Sequence, residues 1–162
     1  MAATLQLSAH YGSGGGSATD NVAGIDLISA DNTTNSLANR QANPITVGTN
    51  SYEKWVQLKV VTAPSNYVQN FKVWGDGGVM ASTTLNFTGA FVTYQQGTTA
   101  ASTIANAAFT TYTAGNKATW DTQSYSITGS YTKYVVFQLT VDATAGPGNW
   151  TQETISYSYD EA

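Results

Sequence analysis

His10 is the only histidine in the chain, and cysteine is absent. Acyl-transfer chemistry of the Ser-His-Asp type needs an imidazole fixed within hydrogen-bond reach of its partners. His10 instead adjoins Gly12-Ser13-Gly14-Gly15-Gly16-Ser17, a run that behaves as flexible coil. That run lacks the Gly-Lys-Ser/Thr ending of a phosphate-cradling loop. A glycosidase would need a protonated carboxyl facing a second carboxylate. The only glutamates are Glu53, Glu153 and Glu161. A Glu153–Asp142 pair across a terminal hairpin is the one arrangement worth testing, and solvated surface carboxylates are the simpler reading. Asp20-Asn21, Asp26 and Asp31-Asn32 offer oxygen ligands for calcium. Their spacing matches no EF-hand, and Asp and Asn equally serve turns by bonding their own backbone. His/Cys metal ligation is excluded by count. The sequence therefore predicts no catalytic residues, no metal and no cofactor. Three Asn-x-Ser/Thr triplets, at Asn32, Asn86 and Asn149, are what a Thr- and Asn-rich chain produces by chance.

The elements that would position any site are read from composition and periodicity. The chain has 162 residues, 10% of them charged, and a net charge of -4. That balance argues against a nucleic-acid backbone as partner. No apolar run approaches the ~20 residues that span a bilayer. Met1 to Ser8 has neither a basic nor an apolar leader region, which argues against a secretory signal. Two-residue alternation of apolar and polar side chains marks strands at 52–62, 67–74, 83–88, 90–95, 124–128, 133–141 and 151–159. Val56, Leu58 and Val60 share one face of the first run, with Trp55, Gln57 and Lys59 on the other. Tyr67, Gln69, Phe71 and Val73 share a face of the second. Tyr134–Val141 is the most apolar and reads as central. Ile155, Tyr157 and Tyr159 read as inward, and the turn at Gly146-Pro147-Gly148 predicts a hairpin between these last two strands. Asp76-Gly77-Gly78 predicts another turn. Only Ser102–Thr110 reads as a short helix, while Ala30–Asn43 reads as loop.

This spacing predicts an all-β protein, an immunoglobulin-like or jelly-roll sandwich. Glycine content divides it into a flexible N-terminal arm, 1–24, and a β-sandwich domain, 25–162. Thr4, Leu5, Gln6 and Leu7 then form a short strand that could add to a neighbouring subunit's sheet edge.

No charged residue occurs between Asp76 and Lys117. Soluble surfaces and free sheet edges normally carry Lys and Glu, whereas interface cores are depleted of charge. Aromatic side chains anchor interfaces, so Trp55, Trp74, Phe91, Tyr94 and Trp150 join Thr4–Leu7 as interface candidates. Trp55, which shares a face with Gln57 and Lys59, reads as partly exposed. The same tryptophans could instead stack on sugar rings.

The order of segments carries a further signal. Ser17-Ala18-Thr19-Asp20-Asn21-Val22-Ala23-Gly24-Ile25 leads to Asn43-Pro44-Ile45 and to Asn50-Ser51-Tyr52-Glu53-Lys54, and the chain closes on Tyr159-Asp160-Glu161. In this respect it resembles small virion structural proteins of tailed bacteriophages. The resemblance implies a non-enzymatic capsid decoration or cementing protein. Such a protein is assembled in the host cytoplasm, located in the virion and bound to the major capsid protein or other virion proteins. It implies a homo-oligomer, a trimer among the options, with no nucleic-acid or membrane partner. It supplies no catalytic residues. The alternatives are a carbohydrate-binding or adhesin module and a tail or neck component of the same particle.

Overall fold

The computed structural model describes residues 2–14, 16–77, 81–146 and 153–162. Among the described residues nine strands run β1 Thr4–Tyr11, β2 Ser17–Asp20, β3 Lys54–Thr62, β4 Val68–Gly75, β5 Thr83–Phe91, β6 Ala107–Ala108, β7 Ala118–Asp121, β8 Tyr134–Val141 and β9 Ile155–Glu161. They pair antiparallel in two sheets, β2-β1-β3-β8-β5-β6 and β7-β4-β9. The two sheets pack as a sandwich, so the chain is all-β as its alternation predicts. Among the described residues no helix is long and apolar enough to cross a membrane.

Alternation explains which face goes where. Val56, Leu58 and Val60 of β3, with Val135, Phe137 and Leu139 of β8, point into the space between the sheets and are buried there. Phe71 and Val73 of β4 and Trp120 of β7 meet them from the smaller sheet. Phe109 seals the centre, its ring 5.1 Å from Phe87 and 5.2 Å from Phe137. Asp121 is buried beside this core. Its carboxylate accepts from the Tyr125 hydroxyl (2.7 Å) and from the Lys133 amide (2.7 Å), which satisfies a charge that would otherwise be costly to bury.

Residues 4–11 and 17–20, which glycine content assigned to a flexible arm (1–24), form the first two strands of the larger sheet. Thr4–Tyr11 pairs with β3 of its own chain, from Thr4↔Thr62 to His10↔Trp55, and with β2 on its other side. The reason is alternation again: Leu5, Leu7 and Ala9 face the core.

Five other expectations change. Tyr134–Val141 and the last strand do not form a hairpin. β8 is already paired on both sides, by β3 and β5, so β9 pairs with β4 in the other sheet. Pro147 and Gly148 of the expected turn, and Gly78 of the other, lie outside the described residues. The faces of β4 slip, because Asn70 adopts φ 55 and the register shifts between Gln69 and Lys72. An extra residue there puts Val68, not Gln69, in the core with Phe71 and Val73. Ser102–Thr110 gives β6 and a 3-10 turn at Phe109–Thr111. There the Ser102 hydroxyl caps the amides of Ile104 and Ala105 (3.1 and 2.8 Å), and Phe109 is drawn into the core. The α-helix, α1, is Leu37–Ala42, started by Ser36, whose hydroxyl accepts from the Asn39 amide at 3.1 Å. Its leucine is 62% exposed, so no apolar periodicity marked it. Of the run 124–128, only Tyr125 bridges, to Val68.

The sheets touch where β5 crosses β7. A β-carbon on Gly89 would stand 2.1 Å from the Thr119 carbonyl oxygen, and the next residue, Ala90, has φ 60. Only glycine fits this crossing. Gly89→Val should lower unfolding free energy by about 2–4 kcal/mol in urea titration. Gly146→Ala, with open space around it, should stay within about 0.5 kcal/mol of the parent.

Candidate functional site

The outer face of the larger sheet is the most heavily worked surface of the molecule. Residues of β1, β3 and β8 that alternate away from the core meet there: Ser8, His10, Trp55, Gln57, Tyr134, Val136 and Gln138. Trp55, expected to be partly exposed, is 1% exposed. It is buried because Phe91, Tyr94 and Tyr134 surround its indole, with ring centres 5.3, 5.4 and 5.6 Å away. Phe91, Tyr94 and Trp55 are thus brought together, and Val136, Ile104 and Ala105 complete the cluster. His10 joins its edge, 5.0 Å from Tyr134 and 5.9 Å from Tyr94.

The remaining interface candidates lie elsewhere. Thr4 is exposed at the start of β1; Leu5 and Leu7 are half-buried on the inner face, and Gln6 is half-buried between them. Trp74 is in the smaller sheet, half-buried, with the Lys117 ammonium 4.3 Å from its ring centre. Trp150 lies outside the described residues.

The cover over Trp55 is the charge-free segment itself. Residues 92–106 cross the outer face and are clamped to it by two polar side chains: Gln138, which the sequence did not single out, and Glu53, which it reads only as a surface carboxylate. Gln138, buried on β8, donates through Nε2 to the carbonyls of Ser51 (3.0 Å), Thr98 (3.2 Å) and Ala100 (2.7 Å). Its Oε1 accepts from the Ser102 amide at 2.8 Å. Glu53, also buried, accepts from the Ser102 hydroxyl at 2.5 Å, and its amide donates to the Thr98 carbonyl at 3.1 Å. Gly97 permits this approach, since a β-carbon there would stand 2.6 Å from the Glu53 carbonyl oxygen. A lone glutamine in an apolar strand was the available signal, because a polar group at a buried strand position must find partners. The outward side of the segment is uncharged and exposed at Val92, Thr93, Gln95, Gln96 and 98–101, with Val92 72% exposed.

The carboxylates read as calcium ligands are parted by the fold. Asp20 takes hydrogen bonds from Lys59 and Ser8, which hold its carboxyl below the usual range. Asp26 pairs with Arg40 at 2.8 Å, and Asp31 accepts from the Gly12 amide at 2.9 Å. The carbonyls of Ala30 and Asn32 do converge, but on the buried ammonium of Lys54 (2.6 and 3.0 Å). Burial brings the Lys54 pKa down to about 8, against the pull of Asp31 and Asp26. Among the described residues no group of three or more His, Asp or Glu could hold a metal ion. Glu153 stands beside Asp76, not Asp142; Asp142 caps the end of β8, its amide donating to the Ser82 carbonyl.

No family model, curated protein or solved structure matches this chain. The fold and this surface define a β-sandwich whose larger sheet has its central strands, β3 and β8, covered on both faces.

Two measurements probe the cover. Gln138→Ala leaves the Ala100 carbonyl and the Ser102 amide without their buried partner, while the Thr98 carbonyl keeps the Glu53 amide. It should cost about 2–3 kcal/mol in chemical denaturation and speed amide exchange or proteolysis at 92–106 before the β-sheet opens. The second concerns His10. Both ring nitrogens are buried without a hydrogen-bond partner, and the neighbouring Gln57 amide donates to the Thr132 carbonyl instead. Burial lowers the His10 pKa from 6.5, against the opposing pull of Asp20 and of the neighbouring Gln57 side chain. A depressed histidine contributes stability above its unfolded pKa, and that contribution is lost as pH falls through 6.5 toward the folded value. Unfolding free energy should therefore fall between pH 7.5 and about 5.5. His10→Phe should flatten that part of the profile in parallel urea titrations.

Proposed function

We propose that this chain is a non-enzymatic structural subunit of a phage particle, a capsid decoration or cementing protein that bridges neighbouring shell subunits. The observation that carries this reading is the outward side of the segment 92–106: exposed, free of charge, and hydrogen-bonded from beneath to Gln138 and Glu53. A free surface of this kind lacks the lysines and glutamates that normally solvate it and guard against sticking. A pre-ordered loop also docks with little loss of conformational entropy. Below it, the edge strand β6 is two residues long and likewise uncharged. Repetition on a symmetric shell would multiply a weak contact into stable attachment. The sequence resemblance to tailed-phage virion proteins supports the same role, with the major capsid protein or other virion proteins as partners and the virion as location. A homo-oligomer, such as a trimer, fits a position on a symmetry axis of such a shell.

The sugar-binding alternative has less support. Trp55 is buried, and Trp74 already carries the Lys117 ammonium over its ring.

The test uses purified particles. The chain should co-sediment with them and appear as ordered density on the shell in electron microscopy. Its absence from particles would overturn the proposal. Thr98→Lys and Val92→Lys place a charge in the contact while leaving the core alone. Each should cut particle-bound copies by about tenfold or more at limiting protein concentration.

A further inference from the structure

Among the described residues the two sheets are unequal, six strands against three. β9 is an edge of the smaller one, with β4 as its only strand neighbour among the described residues. Tyr67 and Ala162 exchange both backbone hydrogen bonds (3.2 and 3.0 Å), and the Asp76 amide donates to the Thr154 carbonyl at 3.2 Å. Even-numbered residues of β9 therefore turn their backbone groups toward β4. The amides and carbonyls of Ile155, Tyr157 and Tyr159 turn toward the open side. Over Ile155–Tyr159 this edge lacks the usual guards: that stretch contains no charge, no proline and no bulge of its own, and the acidic pair Asp160-Glu161 lies at its far end.

Beside the open edge lies a cavity of about 780 Å³. Leu5 and Leu7 of β1 and Leu85 and Leu139 of the central strands form its apolar floor, and residues 21–27 form its far wall. The volume is that of an ordinary ligand site. Its shape follows from the strand count, because three strands cannot cover the inner face of six. Tyr157, 38% exposed, stands at the lip.

Charge marks one end of the opening. Glu153 lines it, and its Oε2 is buried without a hydrogen-bond partner, while Oε1 accepts from the Gly77 amide at 3.4 Å. Burial and the neighbouring Asp76 both raise the Glu153 proton affinity, as expected where a carboxylate lacks a cation. At the other rim Asp26 and Arg40 neutralise each other. The mouth is left acidic.

We propose that β9 receives an additional strand from another polypeptide. The incoming segment is extended, with apolar residues at alternate positions that fill the cavity and a lysine or arginine that meets Glu153. Its backbone bonds to Ile155, Tyr157 and Tyr159, and its side chains supply what the missing strand of the smaller sheet would. The inference rests on the groove and not on the particle role, so loss of the chain from particles would leave it standing.

The probe is a set of synthetic nine-residue peptides with valine or isoleucine at alternate positions, threonine between them, and one lysine moved through each position in turn. The full chain is titrated with each peptide, and amide hydrogen exchange is followed. The best peptide, at about ten times its Kd, should slow exchange of the Ile155, Tyr157 and Tyr159 amides roughly tenfold. Methylating its alternate backbone nitrogens should abolish the effect. Glu153→Gln should weaken the lysine peptide about fivefold and leave a norleucine counterpart unchanged. Strand addition is overturned if no peptide slows those three amides, or if the methylated peptide works equally well. The cationic requirement is overturned if lysine and norleucine peptides bind the parent chain alike.

Discussion

The central strands β3 and β8 are buried on both faces, and the rest of the molecule is arranged to meet that constraint. An antiparallel sheet usually packs one face and wets the other. Here 54–58 and 135–139 are buried without a break. The inner face is met by Phe71, Val73, Trp120 and Phe109. The outer face has no second sheet to meet it. It is met by a loop, and a loop can cover an apolar surface only if its own backbone polar groups are satisfied. Gln138 and Glu53 supply that satisfaction from below, which is why two polar side chains sit in the most apolar part of the sheet.

The missing charges acquire a double meaning in this light. The side of 92–106 facing Trp55 is uncharged because it is core. The side facing out is uncharged as well, and folding gives no reason for it. That asymmetry between what the fold requires and what the sequence contains is the ground on which an interaction role stands. The acidic loop region behaves oppositely: every carboxylate between 20 and 31 is matched to a donor inside the chain, at Lys59, Arg40 or Gly12.

Much of the fold was legible from period-two alternation. β3, β4, β8 and β9 lie close to the runs that marked them, and the central place of β8 followed from its apolar character. The rest was hidden for particular reasons. The glycine run reads as flexible coil, yet Gly12, Gly14 and Gly16, all at positive φ, lie where the chain passes from β1 to β2. Periodicity cannot see an extra residue such as Asn70, which puts Val68 rather than Gln69 on the same face as Phe71 and Val73. The partner of β9 depended on both edges of β8 being filled, a long-range fact that no local pattern encodes. At the candidate site, Phe91 and Tyr94 were legible as aromatics in a charge-free stretch. Trp55 was misread because a strand face that carries Gln57 and Lys59 looks wet. Lys59 is partly wet, at the Asp20 end, while Gln57 and Trp55 are covered by residues distant in sequence.

The sandwich is also fastened at one corner. The Ala3 amide bonds both carboxylate oxygens of Glu161 at 3.1 Å, and the Tyr159 hydroxyl donates to the Ala3 carbonyl at 3.2 Å. The first and last strands therefore leave the body side by side. A tether attached before β1 and one attached after β9 would pull on the same spot, and the opposite corner would swing free as the end of a single rigid lever. Joining the two ends with a short linker and opening the chain at an exposed turn should then preserve the architecture, since the new peptide would span a gap the molecule has already nearly closed.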